Sequence, residues 1–361
     1  EMKQLSQNIK RMPVDTWNRA GVNRSEIKLY SVEDAGDANK KFTNFECRHN
    51  LERNFNEFNP DKKNDDFFMN DEVRKFIDEN KNHCRYFRIP KNHIENNPVI
   101  IEFNIKQDSY LIDDIIIEAE EGSSCTFIVK YSSEEGKNIH HSGRIRVFAG
   151  RNSDVKVIRA QLMDNQASHN DIISGIEEDR AHIHVILAEI GAAKTMSSCN
   201  IVLNGKESSA DVDILYMGDG TRSVDISARV EHKGKNSLSN IRARGVLSGQ
   251  SRKILRDTID FISGSGGSKG REEENVLMLD PGVMNLSVPI LLCGEDDVEG
   301  EHAASSGRPD DKLMFYMMSR GISENEAKKI LVEAAFSAIL NGVPDISLQD
   351  EILKVLKKSI E

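Results

Sequence analysis

Five carboxylates and a histidine fall within eight residues: Glu295, Asp296, Asp297, Glu299, Glu301 and His302. Oxygen ligands with one imidazole suit a divalent or ferrous ion. The spacing is not the Asp-x-Asp-x-Asp-Gly of an EF-hand, and a solvated acidic loop is the plainer reading. His302 is the most informative member, because imidazole is a metal ligand that titrates near neutrality. His182 and His184, two apart, would share one face of a strand. With no third ligand in view, they read as structural or solvent-facing. His140 and His141 would point to opposite faces and suggest no site. The glycine-rich stretch 263–270 lacks the Gly-x-x-x-x-Gly-Lys-Ser/Thr of a phosphate loop and reads as a flexible connection. No nucleophile elbow, His-Glu-x-x-His or Gly-x-Gly-x-x-Gly occurs.

The five cysteines, Cys47, Cys84, Cys125, Cys199 and Cys293, are odd in number and widely spaced, without a CxxC. They read as small buried hydrophobes in a reducing compartment, not as a disulfide or zinc framework. A net charge of −11 argues against a nucleic-acid partner. No apolar run is long enough to span a membrane. The first residues, 1–5, carry no apolar signal-peptide core, and a cytoplasmic location is expected.

The elements that must position these residues are mostly strands. Residues 1–11 are expected to form a short helix ending before Pro13. Trp17 is an anchor without a period around it. Residues 44–64, rich in Asn, Asp, Glu and Arg, read as loop or disorder. A helix is predicted over 71–80, with Val73, Phe76 and Ile77 on one face. From residue 98 the texture changes. Strand-like runs recur at 99–105, 114–119, 125–131, 144–148, 155–160, 170–176, 182–189, 199–203, 211–216, 224–230, 240–246, 253–262, 275–279 and 286–293, separated by turn signals such as Asn204-Gly205. A closed sandwich or barrel is one solution, and a stacked β-solenoid with two strands per coil of about 26–29 residues is another. The strand count is high for one sandwich. The apolar residues are mainly Ile, Val, Leu and Ala, and aromatics are only 6%. These points favour the solenoid. A capping box, Ser323 with Glu326, opens a helix running to Leu340, and Asn341-Gly342 ends it. A second helix is predicted over 347–359. The expected division is an N-terminal helical or irregular region (1–97), a β-helix core (98–300) and a C-terminal helical region (301–361).

The C-terminal stretch 311–323, Asp-Lys-Leu-Met-Phe-Tyr-Met-Met-Ser-Arg-Gly-Ile-Ser, followed by Glu326-Ala327, resembles the QLFYLxSRGIs…eA signature of the SufB/SufD family. Residues 302–307, His-Ala-Ala-Ser-Ser-Gly, resemble its H-(G/E)-A-T-x-G element. Residues 267–273 are similar to its glycine-rich strand connection, and Pro13-x-x-Thr16-Trp17 also fits. The resemblance covers roughly residues 98–342. It implies a right-handed parallel β-helix with helical flanks, and a role in SUF iron–sulfur cluster assembly. There the SufB and SufD subunits pair through their β-helices, and each C-terminal region docks one SufC ABC-type ATPase. Where SufB carries a cysteine and a glutamate, this chain has Glu274 and Ala303, so the resemblance is to SufD. It implies a non-enzymatic scaffold in which His302, with Glu301 beside it, meets iron or the nascent cluster at the SufB interface. It also implies that Phe315, Tyr316, Ser319, Arg320 and Gly321 contact the ATPase. For 315–322, packing of the terminal helix onto the β-helix is the alternative. A carbohydrate-active β-helix lyase or hydrolase and a homo-oligomeric β-helix module, with the isolated chain forming a homodimer, are the competing readings.

Overall fold

The computed structural model describes residues 2–16, 20–32, 43–49 and 71–360. In chain order the elements are β1 (Met2–Lys10), β2 (Arg24–Val32), β3 (Phe45–His49), α1 (Asp71–Asn80), β4 (His83–Ile89), β5 (Val99–Ile105), β6 (Ser109–Ala119), β7 (Ser124–Ser133), β8 (Ile139–Ala149) and β9 (Asp154–Leu162). There follow β10 (Ser168–Glu177), β11 (His182–Glu189), β12 (Lys194–Leu203), β13 (Ser209–Gly218), β14 (Ser223–His232), β15 (Leu238–Leu247), β16 (Arg252–Phe261), β17 (Ser268–Met278), β18 (Met284–Cys293) and β19 (Val298–Gly307). Three helices close the chain: α2 (Asp311–Ser319), α3 (Glu324–Leu340) and α4 (Ile346–Lys358).

From β4 onward, even-numbered strands stack in one parallel sheet, β4 to β18, and odd-numbered strands in another, β5 to β19. Each coil therefore contributes one strand to each sheet, and the molecule is a parallel β-solenoid. The coil length runs from 26 residues, where Ser168 pairs with Lys194, to 32, where Arg252 pairs with Met284. Inward-facing aliphatic residues such as Val155, Val157, Ile183, Val185, Val212, Ile214 and Ile241 form the continuous core. Few aromatics are needed because each coil is narrow. Phe103 stacks on Tyr131 at 5.2 Å, one coil apart.

One corner is a ladder of left-handed residues. Asn152, Arg180, Glu207 and Asn236 all have φ of 56–58°. Each amide donates to a carbonyl of the next coil, as Asn152 to Asp179 (3.0 Å) and Glu207 to Lys235 (2.9 Å). Stacked turns thus satisfy their own backbone groups.

All fourteen strand-like runs coincide with strands, 253–262 and 275–279 overrunning by one residue, and several strands are longer than the pattern suggested. Residues 2–11, the described part of the stretch read as helix, are not helical. They form β1, paired antiparallel with β2. A helix that short is marginal alone, whereas a partner strand bonds the backbone groups along one whole edge. Within 44–64, Phe45–His49 is a strand paired antiparallel with β5; residues 50–64, and Trp17, lie outside the described residues. The sheets extend past the expected 98–300 core on both sides, through β4 and β19. Residues 298–302 are strand, so the acidic loop shrinks to a turn at 294–297. Ser268–Gly270 likewise opens β17. Among the described residues no helix is long and apolar enough to cross a membrane.

Both outer faces are partly covered. Ile9, Ile27 and Leu29 of the hairpin, with Val73, Phe76 and Ile77 of α1, pack on Tyr110, Ile112 and Met196 of the even sheet. Val332, Phe336, Ile339, Leu348, Ile352 and Leu356 of α3 and α4 pack on Ile158, Ile186, Leu215 and Met217 of the odd sheet.

Candidate functional site

The solenoid ends at β18 and β19, the terminal strands of the two sheets. β19 is exposed along nearly its whole length, and among the described residues no further strand pairs with its outer edge. His302 sits on it, in register with Glu272 of β17. Side chains alternate along a strand, and paired residues of a parallel sheet share a face. Glu272, Glu274 and Val276 face the core, so His302 is on the inward face at the open end. Glu301 pairs with Arg271, which is exposed on the outer face. Neighbours in sequence, His302 and Glu301 look to opposite sides. The preceding acidic turn is held in part by Glu295, which accepts from the Gly264 amide at 2.8 Å. Those backbone bonds lower its pKa.

Directly behind His302 lies a charged inclusion in the lumen. Lys253 and Asp257 of β16 meet Glu272 and Glu274 of β17, all four buried. The Lys253 ammonium pairs with Glu274 at 2.5 Å and donates to Ser287 Oγ at 3.0 Å. Tyr216 donates its hydroxyl to Glu274 at 2.7 Å. Burial and the nearby Glu274 charge push Asp257 up to about 8; burial and Asp257 push Glu272 up to about 9. Burial lowers the Lys253 pKa against the pull of Glu274.

A second inclusion lies farther down the lumen. His169, Asp171 and Glu189 bring ligand atoms within 4.8 Å of one another. A cation already occupies their centre. The Arg159 guanidinium lies 2.9 Å from Asp171 and also pairs with Glu189. Burial alone would raise Asp171, but Arg159 outweighs it and holds the carboxyl below its usual range. Arg159 also donates to His169 Nε2 at 3.1 Å. That makes His169 Nδ1 the protonated nitrogen, donating to His141 Nδ1 at 2.8 Å. His141 Nε2–H then donates to Asp113 at 2.5 Å, and Tyr131 donates to the other Asp113 oxygen at 2.8 Å. The tautomers are assigned from this network, which pairs both nitrogens of His141 and of His169. His141, which the sequence reading set aside with His140, is a central member. Its partners lie 10–28 residues away, and only the coil repeat brings them together.

On the outer face of the odd sheet, His182 and His184 do share a side. His182 bridges Asp154 (2.9 Å) and Asp211 (3.0 Å), and His184 meets Asp213 at 2.8 Å. Hydrogen bonds donated to the two carboxylates raise His182 to about 10. Arg242 completes the row by binding Asp213 through two nitrogens, at 2.7 and 2.8 Å.

α2 was not anticipated as a separate helix. Asp310 caps it, accepting from the Leu313 amide at 2.9 Å. Met317 is buried, but Phe315 is 75% and Tyr316 55% exposed. Arg320 lies over the Tyr316 ring at 5.3 Å, and Ser319 Oγ donates to the Tyr316 carbonyl. Gly321, at φ 89°, ends the helix in a conformation costly for any other residue. The apolar side chains of Phe315 and Tyr316 therefore face solvent. Of the cysteines, Cys125 and Cys199 are buried, which pushes both thiols to about 12. Cys293 is exposed at the open end.

A parallel β-solenoid with an open last coil, an imidazole on that coil and a helical tail presenting bare apolar side chains is built like an assembly scaffold. The chain belongs to the SufBD core family of the SUF iron–sulfur cluster assembly system, whose model matches residues 103–335. It is 26% identical to the iron–sulfur cluster assembly protein SufD of Bacillus subtilis over 307 residues, covering 82% of this chain and 70% of that protein. It is 24% identical to a chloroplastic SufBD family protein of Arabidopsis thaliana over 71% of this chain and 48% of that one. For a SufBD family protein of Staphylococcus epidermidis the identity is 23%, over 72% and 56%. The chain thus spans about half the length of these last two relatives.

Proposed function

We propose that this chain is a SufD-like scaffold subunit, without catalytic turnover of its own, that pairs with a SufB-like subunit and docks an ABC-type ATPase. The observation that carries this reading is the open coil. β19 offers an exposed edge of backbone donors and acceptors, which another chain can extend or cover. His302 lies on that strand, so a partner seated there faces an imidazole suited to iron. Glu301, on the other face of the same strand, meets iron only if the partner wraps the edge. The buried Cys125 and Cys199 thiols are poor ligands, because only the thiolate binds metal, and Cys293 is the one exposed thiol on the last even strand. Thiolate ligands for the nascent cluster, which is cargo here, therefore come chiefly from the partner. The C-terminal region docks the ATPase through Phe315, Tyr316, Ser319, Arg320 and Gly321.

The test is affinity capture of the tagged chain from its native extract, with mass determination of what stays bound. Retention of a SufB-like chain and an ATP-binding-cassette ATPase is expected. A chain that elutes alone or only as a homodimer, or that cleaves an acidic polysaccharide unaided, overturns the reading. In the reconstituted complex, His302→Ala is expected to lower cluster formation at least tenfold while the subunits remain associated. Unchanged cluster formation removes the metal role of His302.

A further inference from the structure

A cavity of about 180 Å3 lies between the N-terminal hairpin with α1 and the outer face of the even sheet. A single water needs only roughly 10–15 Å3, so the space can take an organic molecule. Its two walls differ in chemistry. The hairpin and α1 contribute Ile9, Ile27, Leu29, Val73 and Ile77. The sheet contributes polar side chains, among them Asn200 of β12 and Thr258 of β16. These two are 7% and 3% exposed, and their side-chain polar atoms have no hydrogen-bond partner. Asn170, Ser198 and Ser227 on the same wall are already bonded. Buried polar groups are normally paired, so an unpaired amide and hydroxyl lining one cavity mark a place for a polar ligand group.

Guanidinium groups stand beside them. Arg256 is in register with Ser227, and Ser227 with Ser198, to which Arg11 donates at 2.6 Å. Asn200, Arg229 and Thr258 form the next row on the same face, two residues along each strand. Arg11 and Arg256 share one carboxylate, Asp225, and neither has a second acidic partner among the described residues. The Arg11 side chain is 6% exposed and uses three of its five N–H donors, on Ser198 Oγ, the Ser197 carbonyl and Asp225. The other charges on this wall are paired: Arg229 with Glu231 and Asp260, and Asp171 with Arg159.

We propose that this cavity binds one aliphatic carboxylate, an anion with an apolar body. Its head lies against the Arg11 and Arg256 guanidiniums and accepts from the Asn200 amide and the Thr258 hydroxyl. Its chain lies beneath Ile9, Ile27, Leu29, Val73 and Ile77. A carboxylate suits guanidinium donors, and the charge that Asp225 leaves uncompensated favours an anion. No aromatic ring lines the cavity, which favours an aliphatic body over a stacked ring. The site lies on the opposite sheet from β19 and does not rest on the scaffold reading.

The full-length chain, stripped of bound lipid on a hydrophobic resin, would be titrated with decanoate below its micellar concentration, with calorimetry and melting temperature as readouts. One decanoate per chain is expected, with a rise in melting temperature. 1-Decanol, which has the same chain and no charge, should bind at least tenfold more weakly, and decyltrimethylammonium should not bind. Arg11→Gln and Asn200→Leu should each weaken decanoate binding at least tenfold. Asn200→Leu removes an unpaired buried amide, so without ligand it should melt no lower than the parent; a purely structural Asn200 would not allow that. Lys91→Gln, in the turn after β4, should change binding less than twofold. The two site variants lie on different elements, so one decides if the other fails to fold. No saturable binding would mean that water alone fills the cavity, and would overturn the site. Equal binding of decanol, or undiminished binding by a folded site variant, overturns it as well.

Discussion

At the residue scale, this protein places charge where a β-solenoid normally keeps aliphatic ladders, and each case is decided by its partners. Arg159 is fully buried, yet Asp171, Glu189 and His169 surround it. On the surface, His182 is clamped between Asp154 and Asp211, with Lys156 on the neighbouring strand and Arg242 two strands away. Its pKa of about 10 lies above the ordinary value near 6.5, so the sign follows directly. Below about pH 6.5 the imidazolium is present folded and unfolded, and the clamp contributes fully. Between about 6.5 and 10 only the folded chain holds the proton, and the contribution is lost progressively. Urea midpoints should fall as pH rises across that window, and His182→Ala should flatten the slope. A parallel slope in the variant would remove His182 from the account. Of these residues, His302 and the His182/His184 pair were legible from motif and spacing. Glu272 and Asp257 were not, because a buried carboxylate looks like any exposed one until strand parity is known.

At the scale of elements, the coil is the unit, and its turns must stack as closely as its strands. A methyl group on Gly234 would overlap the carbonyl of Gly205 in the turn one coil earlier. Both atoms belong to backbone fixed by neighbouring coils, so neither moves aside cheaply. Gly234→Ala should therefore cost about 1–3 kcal/mol, read from denaturant unfolding. A loss under about 0.5 kcal/mol would mean the corner relaxes freely. The strand runs were legible because alternation survives in each coil. β1 was read as helix because local spacing cannot report a distant partner strand. The first half of β19, 298–302, was read as acidic loop because its exposed positions carry no alternation, for want of a next coil to bury one face.

At the scale of the molecule, coverage separates what is structural from what is left for partners. The hairpin and α1 cover part of the even sheet, and α3 and α4 cover part of the odd sheet. α2 and the last coil remain bare. Phe315→Asp should leave the melting temperature within about 2 °C, since the side chain already faces solvent. It should nevertheless abolish retention of the ATPase in the capture experiment. A large drop in melting temperature would show that Phe315 packs in the folded chain; undiminished retention would move the docking surface elsewhere.

The amino-acid sequence by itself determined the repeat, the aliphatic interior, the two long C-terminal helices and the family, because these are written in local alternation, caps and short motifs. The tertiary structure alone decided which residues share the lumen. Coils of 26–32 residues set strand neighbours far apart in sequence, and one residue of register changes the face. That is why His302 belongs with Glu272 across a strand pair, and not with Glu301 beside it in the chain.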